Sequence, residues 1–409
     1  MKYNKQIFFT LISLIIVDSF RWLSYAGFLN LDSSTYIAIF LTYISIYFLL
    51  KIALNSDWKT STPITTQNLL KFWIGLNVLN IVRGFFLAKD YWDYKFIFFN
   101  AVTFSLISLV FFIGNNLQKA VIVFKFAFKY LFPFGFLLIP LTLTTNEELY
   151  SRIMIPVSLF ILFIPFVKWK WKLLIVLVAI VSVSIVLGFR TNIIKITFSV
   201  MLLALFYLRG FLNLRILKLL HLFTFLVPII LLVLAIWGNY NFFVEFSENS
   251  SGYTVEDKDG KSEDLASDSR TFLYVDIFST LTRTGHLLIG EGAAGKYDTV
   301  LFDYLGDGRG RYSSEVGILN ILLYNGLIGV IIYTLLLFTI SRIAITQSNN
   351  MLCKLIGLFI AFRWLISFIE EFTDFDLNFY FFWIALGLVS NYTFRKLTDK
   401  EIKLFFQSI

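Results

Sequence analysis

Arginines beside the apolar runs of this chain point to one kind of chemistry. Guanidinium groups offer planar, bidentate donors that match the oxygens of phosphate. Several of them facing one cavity therefore favour an anionic ligand. For two of them, Arg283 and Arg309, contact with lipid headgroups or with acids of the same loop is an equally good interpretation. The arginines concerned are Arg83, Arg190, Arg270, Arg283, Arg309 and Arg311.

Two other features near these arginines carry different chemistry. Residues 285–298 read GHLLIGEGAAGKYD, and their four glycines let the backbone turn tightly and approach a ligand. This is not a P-loop, because Lys296 is not followed by Ser or Thr. Glu315 begins a later apolar run, where its charge suits a helix N-terminus with Ser313 or Ser314 as the N-cap. The same carboxylate is equally suited to act as a general base.

The sequence contains few residues that could bind a metal ion or form a disulfide. Cys353 is the single cysteine, which excludes an internal disulfide and cannot build a zinc site by itself. The two histidines, His221 and His286, exclude a cluster of several His ligands. We expect no metal and no cofactor, and a structural role for His221 at the inner end of its predicted span.

The composition indicates a membrane protein. Of the 409 residues, 58% are hydrophobic and 15% are charged, whereas soluble domains are about 25% charged. Forty-eight Phe and twenty Tyr cannot all be hidden in one soluble core. The net charge of +8 is better explained by Lys and Arg beside membrane spans than by nucleic-acid binding. We therefore expect membrane lipid, and no nucleic acid, as a partner.

Apolar runs predict an all-α, polytopic membrane protein with about 12 transmembrane helices at roughly 20 residues per crossing. The runs do not alternate apolar and polar residues, as a transmembrane β-barrel requires. They lie near 7–27, 35–54, 69–88, 94–113, 121–143, 152–167, 171–188, 192–208, 217–237, 316–340, 351–370 and 376–394. The first run has a basic start but no cleavage site, which favours a retained helix.

The distribution of Lys and Arg predicts the orientation. Alternate connections are rich in basic residues, from Lys2 and Lys5 to Lys400 and Lys403, whereas the others are poorer in them and end in the acidic group around Glu371. Because cytoplasmic connections carry the excess of Lys and Arg, both termini are expected in the cytoplasm. The arginines discussed above then face the outside.

One external connection, residues 238–315, is far longer than the rest. It divides the chain into transmembrane helices 1–9 (1–237), a large periplasmic loop (238–315), and helices 10–12 with a cytoplasmic tail (316–409). Residues 245–269 are acidic and poor in bulky apolar groups, which is typical of a solvated segment. Residues 270–315 regain helical apolar spacing and predict a short helix followed by a Gly-rich stretch on the membrane surface.

Four motifs, taken in order, resemble one group of bacterial envelope enzymes. They are Gly-Phe-Arg-Thr (188–191), Ser-Arg before an amphipathic helix (269–270), Leu-Ile-Gly-Glu-Gly (288–292), and a re-entering helix reading Glu-x-Gly-Ile-Leu-x-x-Leu-Leu (315–323). Over about residues 185–335, the chain resembles the superfamily of O-antigen polymerases (Wzy-type) and O-antigen ligases.

The resemblance implies a lipid-linked glycosyltransferase of the GT-C-like type in the bacterial inner membrane, with its active site facing the periplasm. Polymerases of this kind move a growing glycan from undecaprenyl diphosphate onto a new lipid-linked repeat unit, with no nucleotide sugar and no essential metal. The implied partners are the lipid-linked donor and acceptor oligosaccharides and a chain-length regulator protein. Arg190 and Arg270 match the arginines thought to hold the diphosphate, and we place Arg83 and Arg311 with them.

The same resemblance leaves two questions open. Ligases carry a His-Asn pair where Glu315 lies here, a departure that favours a polymerase over a ligase. Glu315 is our first choice as the catalytic base, and His286, across the Gly-rich turn, is the alternative. Outside this superfamily, a transporter or flippase for lipid-linked oligosaccharides is the competing hypothesis. Such proteins usually show internal repeats and helices broken at the midplane, without a large outer loop.

Overall fold

The computed structural model describes residues 2–25, 31–144, 148–184, 190–210, 213–236, 254–256, 262–264, 271–299, 310–371 and 374–407. Of the arginines singled out above, Arg270 and Arg309 lie outside these ranges, as do Gly188, Phe189 and Ser269 of the motifs. Most of the predicted solvated segment, 245–269, also lies outside them. The described parts of that segment are two short antiparallel strands, β1 (Thr254–Glu256) and β2 (Ser262–Asp264).

Helices make up nearly all of the described chain. Two π-helical turns (Ile97–Ala101 and Ala127–Leu131) and one 3₁₀ turn (Ile107–Val110) interrupt them. In chain order the helices are α1 (Lys2–Tyr25), α2 (Leu31–Leu54), α3 (Trp58–Ser61), α4 (Ile64–Leu87), α5 (Tyr91–Phe96), α6 (Val102–Leu106), α7 (Phe111–Gly114), α8 (Leu117–Phe126), α9 (Phe132–Thr144), α10 (Glu148–Met154), α11 (Val157–Ile161), α12 (Trp169–Ser184), α13 (Arg190–Tyr207), α14 (Leu214–Ile236), α15 (Thr271–Thr284), α16 (Gly317–Thr346), α17 (Met351–Ile366), α18 (Leu377–Ser390), α19 (Tyr392–Lys396) and α20 (Asp399–Gln407).

The helices identify a multi-pass membrane protein. Within the described ranges, six helical stretches are long and apolar enough to cross a membrane. Each coincides with an apolar run found in the sequence, and the count of about twelve spans stays a prediction. The six are Tyr36–Leu54, Ile64–Leu87, Tyr91–Gly114, Leu117–Leu143, Leu214–Val233 and Gly317–Thr346.

The apolar run at 152–167 folds differently from the single span predicted for it. It forms the short helix α11 and the end of α10, with Pro156 between them. Proline lacks the backbone N–H that would continue the helix, so the chain turns at this point. The segment is nevertheless buried, with Phe160 fully inaccessible. A non-helical backbone is tolerated at such a site because protein, rather than lipid, surrounds it.

Helix α18 lies inside the bundle, and all of its residues from Leu377 to Ser390 are buried. A helix that is apolar on every face suits such a position. Its approach to α7 is close, because a Cβ atom on Gly387 would lie only 2.7 Å from the backbone nitrogen of Asn115. Glycine at this contact allows the two backbones to meet.

Charged residues of α1 tie this helix to the start of α18. The guanidinium group of Arg21 lies 2.9 Å from Asp374. Asp18 accepts a hydrogen bond of 3.1 Å from the backbone N–H of Leu377. Both side chains thus have partners at the start of α18.

His221 joins two helices at its buried position. Its Nε2 atom lies 2.7 Å from the hydroxyl of Ser341 on α16. The ring also packs against Phe225 and Phe338, with 5.0 Å between ring centres in each case. These contacts give His221 a role in holding α14 against α16.

Candidate functional site

The Gly-rich segment 285–298 packs into a break in α16. At Gly326 the backbone has φ 63° and ψ −169°, so α16 consists of two half-helices that meet at this residue. A side chain is excluded there, because a Cβ atom on Gly326 would overlap the carbonyl group of Leu288. The approach is equally close at Gly290, where a Cβ atom would lie 2.5 Å from the backbone of Tyr324. Glycine at both positions lets the two backbones touch.

Four backbone hydrogen bonds hold the segment in the break. Glu291 and Gly292 donate to the carbonyls of Leu323 and Tyr324, at 2.7 and 3.2 Å. The N–H groups that follow the break are also paired, because Leu327 and Ile328 donate to residues 287 and 288 of the segment, at 3.0 and 3.1 Å. Helix ends within a bundle need such partners for their unpaired groups. The segment therefore completes α16 as well as occupying its break.

A histidine and a glutamate of this segment form a pair. Helix α15 ends at Thr284, and Gly285 follows with φ 73°, a conformation that terminates helices. The turn places Nδ1 of His286 at 2.9 Å from Oε2 of Glu291. Thr284 donates its hydroxyl hydrogen to the other oxygen of Glu291. The His286 side chain is 36% exposed and that of Glu291 is 15% exposed, so the imidazole is open to solvent while its carboxylate partner is mostly covered.

Arg83 reaches the same segment from α4. Its guanidinium group donates a hydrogen bond of 3.0 Å to the carbonyl of Ile289. One turn earlier on α4, the carbonyl of Asn80 accepts a bond of 3.2 Å from the N–H of Ala293. The side chain of Asn80 also donates to that of Asn325, beside the break. Arg83, predicted to bind diphosphate, thus lies at the Gly-rich segment.

Arg311 and Glu315 lie next to the other end of the segment. Arg311 and Tyr297 exchange two backbone hydrogen bonds of 2.9 Å each, which pairs the end of the Gly-rich segment with the chain leading into α16. The Arg311 side chain lies 3.6 Å from the carboxylate of Glu315. The backbone carbonyl of Glu315 accepts a bond of 2.9 Å from the N–H of Glu371.

The predicted serine N-cap of α16 is wrong. The N-cap is Val316, and no side-chain hydrogen bond caps this end. Ser314 instead binds within the preceding turn, where its hydroxyl accepts from the N–H of Val316 at 3.2 Å. Asn320 holds this turn, because its side chain bonds both the N–H and the carbonyl of Ser314. A side chain within the helix, rather than a capping serine, therefore orders the entry to α16.

A further ionic cluster joins the segment to α5. Lys296 lies 2.7 Å from Asp93, and the hydroxyl of Tyr312 donates to the same carboxylate at 2.8 Å. Burial alone would lower the pKa of Lys296, but its hydrogen bonds to Asp93 and Tyr312 raise that pKa above its ordinary value. Burial raises the pKa of Tyr312 to about 12. The lysine is thus held as a cation and the phenol as a neutral donor.

The start of α13 lies at a second polar group. Arg190 is the first residue of this helix, and only its backbone is among the described atoms. One turn further, the buried amine of Lys195 lies 3.6 Å from Glu371, which also binds the guanidinium group of Arg363. Arg363 donates a bond of 2.9 Å to Asn378 as well. The predicted convergence of Arg190 with Arg270 falls outside what the structure describes and stays a prediction.

Comparisons with other proteins do not connect this site to a family. The chain matches no family model, no curated protein and no solved structure. Within the described ranges, no group of three or more His, Cys, Asp or Glu side chains is arranged to hold a metal ion.

Sequence reasoning missed two partners at this site. Glu291 lies inside the motif at 288–292, and the only signal for its contact with His286 is their spacing of five residues around a Gly-rich turn. Lys195 and Glu371 are far apart in the chain, so no local pattern points to their contact. The sequence supplies only the expectation that these residues lie in or near external connections.

Proposed function

We propose that the protein is an inner-membrane glycosyltransferase that polymerises undecaprenyl-diphosphate-linked repeat units of a surface polysaccharide. One observation carries the proposal most directly. The segment from His286 to Tyr297 contains the candidate base His286 and contacts two candidate arginines. Arg83 contacts it at Ile289, and Arg311 pairs with it at Tyr297. Glu315 joins this group through Arg311. These candidate residues thus belong to one unit held together by hydrogen bonds and an ion pair.

These residues suit a transfer in which the donor is already activated. The hydroxyl of the acceptor sugar attacks the anomeric carbon of the donor glycan, and the bond from that carbon to the diphosphate oxygen breaks. The acceptor's proton passes to a base on the protein, and undecaprenyl diphosphate leaves with the bonding electron pair. Arginine side chains stabilise the negative charge that develops on the leaving group. Arg83 and Arg311 would share this task with Arg190 and Arg270.

The geometry favours His286 over Glu315 as the base. The carboxylate of Glu315 already faces the guanidinium group of Arg311, at 3.6 Å, so part of it is engaged in an ion pair. His286 has the opposite arrangement, because its Nδ1 faces the carboxylate of Glu291. A hydrogen bond from Nδ1–H to that carboxylate leaves Nε2 as the basic nitrogen and stabilises the imidazolium that forms.

The proposed setting follows from the distribution of charge. With both termini in the cytoplasm, the Gly-rich segment and its partners face the periplasm, where lipid-linked repeat units are presented. The donor and the acceptor are then both lipid-linked oligosaccharides, and neither requires a nucleotide. A chain-length regulator protein is a further partner in this proposal.

One observation favours a different class, a transporter of lipid-linked oligosaccharides. Helix α16 is broken at Gly326, and broken helices are frequent in transporters. However, a segment of the protein itself fills this break and satisfies its backbone groups. The break therefore holds the Gly-rich segment in place and is no evidence for a path that substrate could take through the protein.

The polysaccharide made by cells that lack the protein tests the proposal. We expect such cells to cap their surface lipid with a single repeat unit, and to regain long chains when the wild-type protein is restored. Long chains that persist without the protein would contradict the proposal. Complete loss of the glycan, with unchanged lipid-linked polymer inside the membrane, would instead indicate the ligase.

A further inference from the structure

A groove lies between α2 and α4, two helices that are long and apolar enough to cross a membrane. Its volume is about 620 Å³, which is within the range of small-ligand sites of roughly 300–1,000 Å³. Apolar side chains from α2, α4, α7 and the 3₁₀ turn line most of the groove, and residues of α3 and the loop before it line one end. The apolar lining outside α3 consists of Leu50, Ala53, Leu54, Ile74, Leu109 and Phe112.

The groove presents accessible apolar surface to a ligand. On α2, Leu54 is 84% exposed and Leu50 is 39% exposed. Leu109 and Phe112 are buried lining residues. Exposed apolar surface of this kind marks a ligand groove or a site of contact with lipid. Because the groove lies between two membrane spans, hydrocarbon chains are the molecules that surround it.

The groove reaches toward the middle of α4. Its polar end lies at α3, shortly before α4 begins at Ile64, and Ile74 is the lining residue from α4. Ten residues of helix span about 15 Å, which is half of the roughly 30 Å hydrocarbon core of a bilayer. Arg83, at the Gly-rich segment, lies much further along the same helix, about 28 Å from Ile64. The groove therefore suits a chain from one leaflet, on the membrane face opposite the Gly-rich segment.

The polar end of the groove is held in place by its neighbours. Gln67 on α4 donates bonds of 2.7 Å to the carbonyls of both Lys59 and Thr62, at the two ends of the α3 turn. The ring of Trp58, which also lines the groove, meets that of Phe112 edge-on at 5.2 Å. These contacts fix the shape of this end before any ligand arrives, which lowers the entropic cost of binding.

One carboxylate and one ammonium group at this end are available to a ligand. Asp57 and Lys59 both line the groove and are exposed. Asp57 is the N-cap residue of α3, but its carboxylate makes no capping hydrogen bond. Within the described part of the chain, neither residue takes part in an ion pair. Lys119 on α8 attracts Asp57 electrostatically without forming an ion pair with it. A ligand that carries both a positive and a negative group therefore finds a partner for each.

We propose that this groove binds one molecule of phosphatidylethanolamine from the adjoining leaflet. An acyl chain of the lipid lies along the apolar walls between α2 and α4. The ammonium group of its headgroup donates hydrogen bonds to the carboxylate of Asp57, and its phosphate accepts from the ammonium group of Lys59. The headgroup and the chain thus meet complementary surfaces at the two ends of one groove.

The charge at Asp57 selects among membrane lipids. Phosphatidylglycerol carries a phosphate but no cation, so the carboxylate would face a like charge without compensation. A choline headgroup has a cation but no N–H to donate to the carboxylate. The same repulsion disfavours a lipid diphosphate, which carries still more negative charge. The groove is therefore a site for a zwitterionic lipid and is separate from the proposed glycan site.

Native mass spectrometry of the full-length protein in detergent tests the headgroup preference. The protein is titrated with phosphatidylethanolamine, phosphatidylcholine and phosphatidylglycerol that carry identical acyl chains. We expect the first lipid molecule to bind most tightly when it is phosphatidylethanolamine. Asp57→Asn should bind that lipid about three- to tenfold more weakly, as the loss of a hydrogen bond predicts, without weaker binding of phosphatidylglycerol. Equal binding of the three lipids by the wild type, or an unchanged preference in Asp57→Asn, would overturn the proposal.

Filling the groove tests the site of the acyl chain in the same titration. Ala53→Trp places a large side chain in the groove. Ala204→Trp is the matched control, because Ala204 is exposed on α13 and does not line the groove. We expect Ala53→Trp to lose the preference for phosphatidylethanolamine and Ala204→Trp to keep it. The same preference in both variants would overturn the assignment to this groove.

Photo-crosslinking of the wild-type protein locates the lipid even if a variant fails to fold. The protein is reconstituted with phosphatidylethanolamine that carries a diazirine on one acyl chain, irradiated and digested. Peptides that contain Leu50 and Leu54 should be labelled severalfold more than peptides from α14 that contain Leu219 and Phe223, which are 68% and 66% exposed. Equal labelling of the two surfaces would show contact with bulk lipid only and would overturn the proposal.

The outcomes separate the lipid site from the proposed function. A protein that binds phosphatidylethanolamine in this groove, but elongates no lipid-linked glycan, would reject the polymerase and keep the lipid site. A protein that elongates glycan, but binds the three lipids equally, would reject the lipid site alone.

Discussion

The Nδ1 atom of His286 lies 2.9 Å from Oε2 of Glu291, across a turn that contains Gly290. Thr284 donates a hydrogen bond to the other carboxylate oxygen, and the N–H of Glu291 is anchored to Leu323 on α16. Because the glutamate is fixed at its backbone and at both oxygens, it holds the imidazole in one orientation and one tautomer. This pair gives the proposed base a definite geometry.

Replacing Glu291 with Gln should slow polymer formation without weakening substrate binding. The amide keeps the shape of the side chain but no longer stabilises the imidazolium, so kcat should fall by about 10- to 100-fold with KM little changed. His286→Ala should fall further, by about 10²- to 10⁴-fold. Rates of glycan elongation measured over a range of pH would show whether the acidic limb, on which the base loses its proton, shifts in Glu291→Gln, as a positioning role requires.

Glu315→Gln is the matched comparison for this prediction. If His286 is the base, the Glu315→Gln variant should retain most of the wild-type rate. In the wild type the carboxylate of Glu315 faces Arg311 and takes no part in proton transfer. A loss in Glu315→Gln that equals the loss in His286→Ala would reverse the assignment.

Replacing Gly326 with Ala should destabilise the protein. The backbone there has φ 63°, and a methyl group would overlap the carbonyl of Leu288. Strain and displacement of the Gly-rich segment together should lower the free energy of unfolding by at least about 2 kcal/mol. Thermal unfolding of the purified protein in detergent measures the effect.

Gly75→Ala on α4 provides the control for that experiment. This glycine is helical, and a Cβ atom there would meet nothing within 4 Å. Its replacement should leave stability unchanged or raise it by up to about 1 kcal/mol. Equal melting temperatures for the Gly326→Ala and Gly75→Ala variants would show that the break in α16 does not require glycine.

The Lys296–Tyr312 cluster should make stability depend on alkaline pH. The folded protein raises the pKa of Lys296 through its bonds to Asp93 and Tyr312, although burial opposes this, and burial raises the pKa of Tyr312 to about 12. Groups with raised folded pKa values contribute stability that is complete below their unfolded pKa values of about 10 and is lost as pH rises through the folded ones. The melting temperature should therefore fall above about pH 10.

A Lys296→Met/Tyr312→Phe variant checks the origin of this pH dependence. Both substitutions remove the titrating group and keep much of the side chain, so the fall in melting temperature above about pH 10 should become shallower. If the melting temperature falls equally steeply with pH in the wild type and the double variant, other groups cause the pH dependence.

Single substitutions in the buried cluster around Glu371 should lower the free energy of unfolding by different amounts. Glu371→Gln leaves Lys195 and Arg363 as two neighbouring buried cations without their shared carboxylate. Arg363→Met leaves the Lys195–Glu371 pair intact and neutral. Removing one partner of a buried pair costs about 3–5 kcal/mol, so Glu371→Gln should reach that range and Arg363→Met should cost less. Denaturation in detergent measures the free energy of unfolding of each variant. A larger loss for Arg363→Met than for Glu371→Gln would contradict this description of the cluster.

The sequence predicts most of the helical framework because apolar runs of sufficient length have few alternatives in a membrane. It does not predict the break in α16, since glycine is common in transmembrane helices and Gly326 becomes a break only where the segment at Leu288 meets it. The split at Pro156 was missed for a related reason, because the surrounding run is apolar and only its burial permits the turn.

The candidate site was partly predictable for a physical reason. Alternation of basic and acidic connections predicts that Arg83, His286, Arg311 and Glu315 share one side of the membrane. The structure joins them through one segment. The pairings themselves, such as Lys195 with Glu371, depend on contacts between distant parts of the chain. Local spacing carries no information about such contacts.

Elongation of lipid-linked glycan by the purified protein tests the central claim most directly. The protein in detergent is incubated with extracted undecaprenyl-diphosphate-linked repeat units, and the products are separated by length. We predict a ladder of lipid-linked products longer than one repeat, formed without nucleotide and strongly reduced in His286→Ala. Substrate that is recovered unchanged with folded wild-type protein would contradict the account.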